Sequence, residues 1–123
     1  MKGPMTPGRP VGVTLYVRDS GAATSFYEAA LGLRWNPDIS SFQFGDFPGD
    51  DFFLVSLLDP ADEPDHPIGA GHIGFVVEHL EEAHRRALDA GAVEWYAPQD
   101  NAGAPSSSGV CDPDGNRVEL WQA

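Results

Sequence analysis

The residues best suited to chemistry are His72 and Glu119. The segment His72 to Val77 alternates, which predicts a strand. Side chains alternate across a strand, so Ile73, Phe75 and Val77 take one face and His72, Gly74 and Val76 the other. The apolar trio belongs against a helix, which turns His72 to the opposite face. In the predicted strand Arg117 to Trp121, Val118 and Leu120 go to the helix side and Arg117, Glu119 and Trp121 to the other side. His72 and Glu119 therefore share one face, on the first and last strands of their half. An imidazole nitrogen and a carboxylate oxygen are both good ligands for Zn, Ni, Mn or Fe. Without a metal, Glu119 is a carboxylate that pairs with Arg117 or with a ligand.

These strands belong to a pattern that occurs twice. Val11 to Val17 reads as a strand. A helix follows, capped by Asp19 or Ser20, with Ala22, Ala23, Phe26, Tyr27, Ala30 and Leu31 at helical spacing and Gly32 as its left-handed stop. Leu33 to Asn36, Ser40 to Gly45 and Asp51 to Leu58 read as short strands. Residues 60–70, rich in Pro, Asp and Gly, form the internal linker. The pattern then restarts: a strand from His72, a helix over Glu78 to Ala90 with Leu80, Ala83, Ala87 and Leu88 inward, and strands Val93 to Ala97, Ser106 to Cys111 and Arg117 to Trp121. Asp112-Pro113-Asp114-Gly115-Asn116 is a turn between the last two. Each half is β-α-β-β-β. Gly12 aligns with His72, Trp35 with Trp95, and Val55-Ser56-Leu57 with Val118-Glu119-Leu120. A period of roughly 60 residues is an internal duplication. The division is a flexible arm over residues 1–10, a first module over 11–59, the linker, and a second module over 71–123, all one structural domain.

Composition excludes several function classes. The chain has 123 residues, 19 acidic against 7 Lys and Arg, and a net charge of -12. A nucleic-acid binder needs a basic face, and an anionic membrane would repel this chain. No Lys or Arg occurs between Arg34 and Arg85, a stretch that holds acids from Asp38 to Glu82; it is either a solvated surface or a cleft rim that attracts cations. The one cysteine, Cys111, makes no intramolecular disulfide and no thiolate zinc site. No apolar run reaches a membrane span and the first residues lack a signal-peptide core, so the expected compartment is the cytoplasm. Gly69-Ala70-Gly71-His72-Ile73-Gly74 matches G-x-G-x-x-G but enters a strand instead of opening a helix, so it is not read as a nucleotide motif. His79 and His84 read as exposed helix residues. Tyr16, Trp35, Phe42, Phe44, Trp95 and Trp121 are core residues by default.

The repeat, with Tyr16-Val17-Arg18-Asp19, Phe26-Tyr27, Leu31-Gly32-Leu33, His72-Ile73-Gly74-Phe75-Val76-Val77 and the closing Asp112 to Leu120 segment, resembles the vicinal oxygen chelate superfamily of glyoxalase I, bleomycin resistance proteins and extradiol dioxygenases. The resemblance implies an α+β fold, two tandem βαβββ modules forming a curved mixed sheet with a concave ligand cleft. It implies that metal enzymes of this group complete their site from the positions that here carry Gly12 and Ser56, neither of which suits a metal. Alternation puts Gly12, Thr14, Tyr16, Leu54, Ser56 and Leu58 on the cleft face as well, and Trp35 or Trp121 at its edge can stack on a flat or cationic ring. The candidate ligand-binding residues are Thr14, Tyr16, Trp35, Phe44, Leu54, Ser56, His72 and Trp121. His72 and Glu119 are the candidate metal ligands, and Glu119 the candidate catalytic base. The implied function is sequestration of a cationic or aromatic compound, in the bleomycin-resistance manner, in the cleft of a homodimer. The alternative is a divalent-metal lyase, isomerase or epimerase of the glyoxalase I type, and an extradiol dioxygenase comes third.

Overall fold

The computed structural model describes residue 3 and residues 5–123. The elements run β1 (Gly12–Tyr16), α1 (Ser20–Leu31), β2 (Trp35–Asn36), β3 (Ser41–Phe44), β4 (Phe53–Leu58), β5 (His72–Val77), α2 (Leu80–Asp89), β6 (Val93–Asn101), β7 (Ala104–Cys111) and β8 (Arg117–Gln122). They form two four-stranded sheets, ordered β1-β4-β3-β2 and β5-β8-β7-β6. In each, the first strand pairs parallel with the last, and the remaining pairs are antiparallel. These are the two tandem βαβββ modules that the repeat predicts. Most elements start or end a residue or two inside the expected ranges; β6 and β7 extend further, joined by a hairpin at Gly103 (φ 72°).

The duplication extends to the register. Gly12 faces Leu54 and Thr14 faces Ser56 in the first module. His72 faces Arg117 and Gly74 faces Glu119 in the second. Gly12 and Ser56 therefore stand where the second module has His72 and Glu119.

Local chemistry sets the helix ends. Asp19 accepts a hydrogen bond from the Ala22 backbone N–H at 2.8 Å, and Gly32 adopts φ 66° at the other end of α1. Asp59 accepts from the Ser20 backbone N–H at 3.2 Å, and this bond holds its carboxyl below the usual range. In α2 the cap position is His79, whose side chain caps nothing; the Leu80 N–H instead donates to Gln122 Oε1 at 2.9 Å. The core lies between helices and sheets and includes Leu15, Val17, Phe26, Tyr27, Phe42, Val55, Leu57, Val110, Val118 and Leu120. No helix among the described residues is long and apolar enough to cross a membrane. The arm's Met1, Lys2 and Pro4 lie outside the described residues, while Arg9 pairs with Asp50 and donates to the Pro48 carbonyl at 2.9 Å.

The modules are joined through the turn at 112–116. Asp112 is buried, and its Oδ2 accepts from the Tyr27 hydroxyl of α1 at 2.7 Å and from Asn116 Nδ2 at 3.0 Å. Its Oδ1 accepts the backbone N–H groups of Asp114 and Asn116, each at 2.9 Å. Asn116 Oδ1 accepts the Gly71 N–H at 2.8 Å, and Arg18 bonds to Pro113 O and Asp114. Burial, then the charge and hydrogen bond of Asp112, hold the Tyr27 phenol well above its ordinary value.

Two outcomes follow for stability. Tyr27→Phe leaves a buried carboxylate short of a donor and is expected to cost about 1–3 kcal/mol in urea unfolding, with an unchanged m value. A raised phenol value stabilises the folded state fully below about pH 10, the ordinary tyrosine value, and this contribution falls as pH rises further, because the unfolded chain releases the proton first. An alkaline titration of unfolding should therefore show a smaller loss of stability above pH 10 in Tyr27→Phe than in the wild type; equal losses would contradict the assignment.

Candidate functional site

The concave face of the second module begins with β5 and β8. His72 Nε2 lies 2.7 Å from Glu119 Oε1. Alternation thus brings together the two residues that the sequence singles out. The other carboxylate oxygen, Oε2, accepts from the Tyr96 hydroxyl at 3.0 Å. That hydroxyl lies 3.1 Å from Ser107 Oγ, which accepts from Asn101 Nδ2 at 2.9 Å. Burial first, and then the Glu119 carboxylate, raise the Tyr96 phenol above its usual value. Trp121, two residues beyond Glu119 on the same face, packs beside Gly74, where an added Cβ would lie 3.6 Å from the indole Nε1.

Tyr96 reaches this face because β6 is bulged. Glu94 faces Val110 and Tyr96 faces Gly109, so Trp95 is an extra residue in the ladder. Both rings then sit over Gly109: a Cβ there would meet Tyr96 Cε1 at 2.5 Å and Trp95 Cε3 at 2.6 Å. Trp95 touches His72 edge-on, with centroids 5.4 Å apart, and the Arg117 guanidinium carbon stands 4.7 Å from its ring centroid. Strict alternation puts adjacent residues on opposite faces, so it cannot find this pair. The clue in the sequence is a glycine in β7 facing two consecutive aromatics.

The first module's concave face carries less. Thr14, Tyr16, Leu54 and Ser56 are half-buried there, and Ser56 Oγ bonds to Ser41 Oγ at 2.7 Å. Tyr16 stacks on His66 of the linker, with centroids 4.4 Å apart and planes within 2°. Two expected ligand contacts lie elsewhere. Trp35 pairs with Phe42 across β2 and β3 and packs on its ring at 5.0 Å, and Phe44 packs against the same core and lies 6.5 Å from Phe75. Cross-strand partners share a face, and Phe42 is fully buried on the helix side, so Trp35 and Phe44 belong to the core face.

His84 also departs from expectation. It is buried, not exposed: it faces inward from α2, with Nδ1 2.8 Å from Ser108 Oγ and Nε2 2.7 Å from Glu94 Oε1. The serine, histidine and carboxylate look like a hydrolytic set. Ser108 is 0% exposed, however, and so out of reach of substrate; the cluster ties α2 to β6 and β7. The acids of α2, Glu81 and Glu82, lie with this helix on the side away from the concave face and line a groove with Pro98 and Asp100. That part of the acid surplus does not border the site.

A divalent metal fits this donor set poorly. Among the described residues no three His, Cys, Asp or Glu side chains gather to hold one. Gly12, at the position matching His72, is so tight that a Cβ would lie 2.9 Å from the Leu54 carbonyl oxygen. Ser56, at the position matching Glu119, already has its hydroxyl engaged. His66 and Asp65 of the linker add no donor group to His72 and Glu119.

The fold has counterparts among solved structures. A glyoxalase/bleomycin resistance protein/dioxygenase family enzyme from Burkholderia phytofirmans PsJN superposes with a TM-score of 0.73 at 16% identity, covering 92% of this chain and 97% of that one. A superfamily member from Sphaerobacter thermophilus DSM 20745 gives 0.70 at 20% identity, with 95% and 98% covered. TnmS3, an antibiotic binding protein from Streptomyces sp. CB03234, gives 0.70 at 20% identity, with 97% and 98% covered. No curated protein matches the chain. The family model for the Glyoxalase/Bleomycin resistance protein/Dioxygenase superfamily matches residues 9–120, and with the duplicated module this means that the chain belongs to that superfamily.

Proposed function

We propose that the protein is a cytoplasmic small-molecule binder that sequesters a flat, cationic compound, such as an antibiotic, on the concave face of its second module without a metal. The observation that carries this reading is the surrounding of Glu119. Its carboxylate is oriented by Tyr96 and His72, and Trp121 follows two residues on, about 7 Å along the strand. A ligand cation or N–H donor takes the place of His72 at Oε1, while a flat ring stacks on Trp121 beside the bare Gly74. The net charge of -12 favours the approach of a cation. The description of TnmS3 as antibiotic binding agrees with this use of the fold. We infer that a second copy covers the open face, because β5 and β6 are edge strands and carry the exposed Val76 and Val93.

A metal-dependent lyase or isomerase is the second reading, favoured by the 2.7 Å approach of His72 and Glu119. It needs a third donor, and the matching positions of a second copy's first module again hold only Gly12 and Ser56. A ring-cleaving dioxygenase needs a second imidazole as well.

Quenching of tryptophan fluorescence by bleomycin, a cationic aromatic probe, tests the proposal. Saturable quenching is expected. It should weaken about tenfold or more in Glu119→Gln, which keeps the Tyr96 bond but loses the charge, and its association rate should fall as salt rises. No quenching, or equal affinity in Glu119→Gln, would overturn the reading. Gly109→Ala should displace the Trp95 and Tyr96 rings, costing about 1–3 kcal/mol of stability and weakening the same quenching.

A further inference from the structure

Beside this face, Gly69, Ala70, Gly71, His72, Gly115 and Arg117 line a surface depression of about 380 Å³. Its floor is bare backbone because packing demands it: a Cβ on Gly69 would lie 2.0 Å from the Asp114 carbonyl oxygen, and one on Gly71 would lie 2.6 Å from Leu15 Cδ2. The floor amides of Gly69 and Gly71 are already spent on Tyr16 O and Asn116 Oδ1. The recognising group in this depression is therefore Arg117. It makes no ion pair among the described residues. The two nearby acids are committed elsewhere: Asp114 to Arg18, at 3.0 and 3.1 Å, and Glu119 to His72 and Tyr96. Trp95 supports one face of the guanidinium. The Arg117 side chain makes no hydrogen bond among the described residues, so its N–H groups are free for the two-bond grip by which arginine holds a carboxylate or phosphate.

We propose that this depression is an oxyanion subsite, in which Arg117, held on Trp95, binds the carboxylate or phosphate of a ligand that lies along the concave face. Arg117 and Glu119 are two residues apart on one face of β8, so the ligand is amphoteric, with its acidic and cationic ends about 7 Å apart. The amphoteric character rests on the reading above; the oxyanion site itself does not. That arginine occurs in a chain of net charge -12 makes the site selective for an anion that also carries a cation.

Inorganic phosphate and benzoate, titrated separately at constant ionic strength, test the subsite by NMR of the arginine side-chain N–H groups and the backbone amides of residues 69–72. Saturable shifts are expected at Arg117 and at these amides. They should vanish in Arg117→Gln, persist in Arg34→Gln, and return at least fivefold weaker in Arg117→Lys, which restores the charge but not the fork. Preference for one probe tells phosphate from carboxylate. No saturation with either probe, or shifts that survive Arg117→Gln, would overturn the proposal. Phosphate has no ring or cation, so its binding stands or falls apart from bleomycin quenching.

Discussion

The molecule depends on one buried carboxylate. Asp112 opens the turn before β8, and it accepts bonds from Tyr27 of the first module and from Asn116 and Asp114 of its own turn. Asn116 is fully buried and reaches the Gly71 N–H and the Tyr16 carbonyl, at the start of β5 and the end of β1. Together with the packing of α1 on α2, this network fixes the two modules against each other, and β8 starts in register with β5. The side chains of β8 decide which chemistry meets which, so the Asp112 network fixes the meeting of His72, Arg117 and Glu119. A buried acceptor that satisfies several donors at once is costly to disturb, since every lost bond strands a polar group.

On that frame the two modules have diverged. Their first and last strands pair in the same register, yet the first module offers Gly12 against a carbonyl oxygen and a serine bonded to another serine. The second offers an imidazole, a carboxylate and a guanidinium, arranged around two aromatic rings by one extra residue in β6. The bulge separates what the two rings do. Tyr96 orients Glu119, and Trp95 supports Arg117. Gly109 is what lets both rings sit on one face. The metal site that the family resemblance implies would need donors from both modules, whereas a binding surface can be built on one.

Much of this is legible in the residues. The repeat carries the fold, because strand and helix periods recur with the same breakers, and alternation places His72 and Glu119 on one face. Alternation fails where the backbone departs from period two. Trp95 and Tyr96 share a face only through the bulge, and Trp35 follows its partner Phe42 to the core side. His84 follows Leu80 by four residues and precedes Ala87 by three, which puts it on the buried face of α2, and its ring is satisfied at both nitrogens by Ser108 and Glu94, so it is buried without penalty. Those partners come from β6 and β7, and helical spacing carries no information about them. The position of the linker is equally invisible in the sequence; its His66 lies flat on Tyr16.

In the proposed function Glu119 is a ligand carboxylate and not one arm of a metal site. Elemental analysis after soaking the purified protein with Zn, Ni, Mn or Fe(II) and desalting decides between the two. No stoichiometric metal is expected, and the same background in the wild type and in His72→Ala. One metal per chain that disappears in His72→Ala would contradict it.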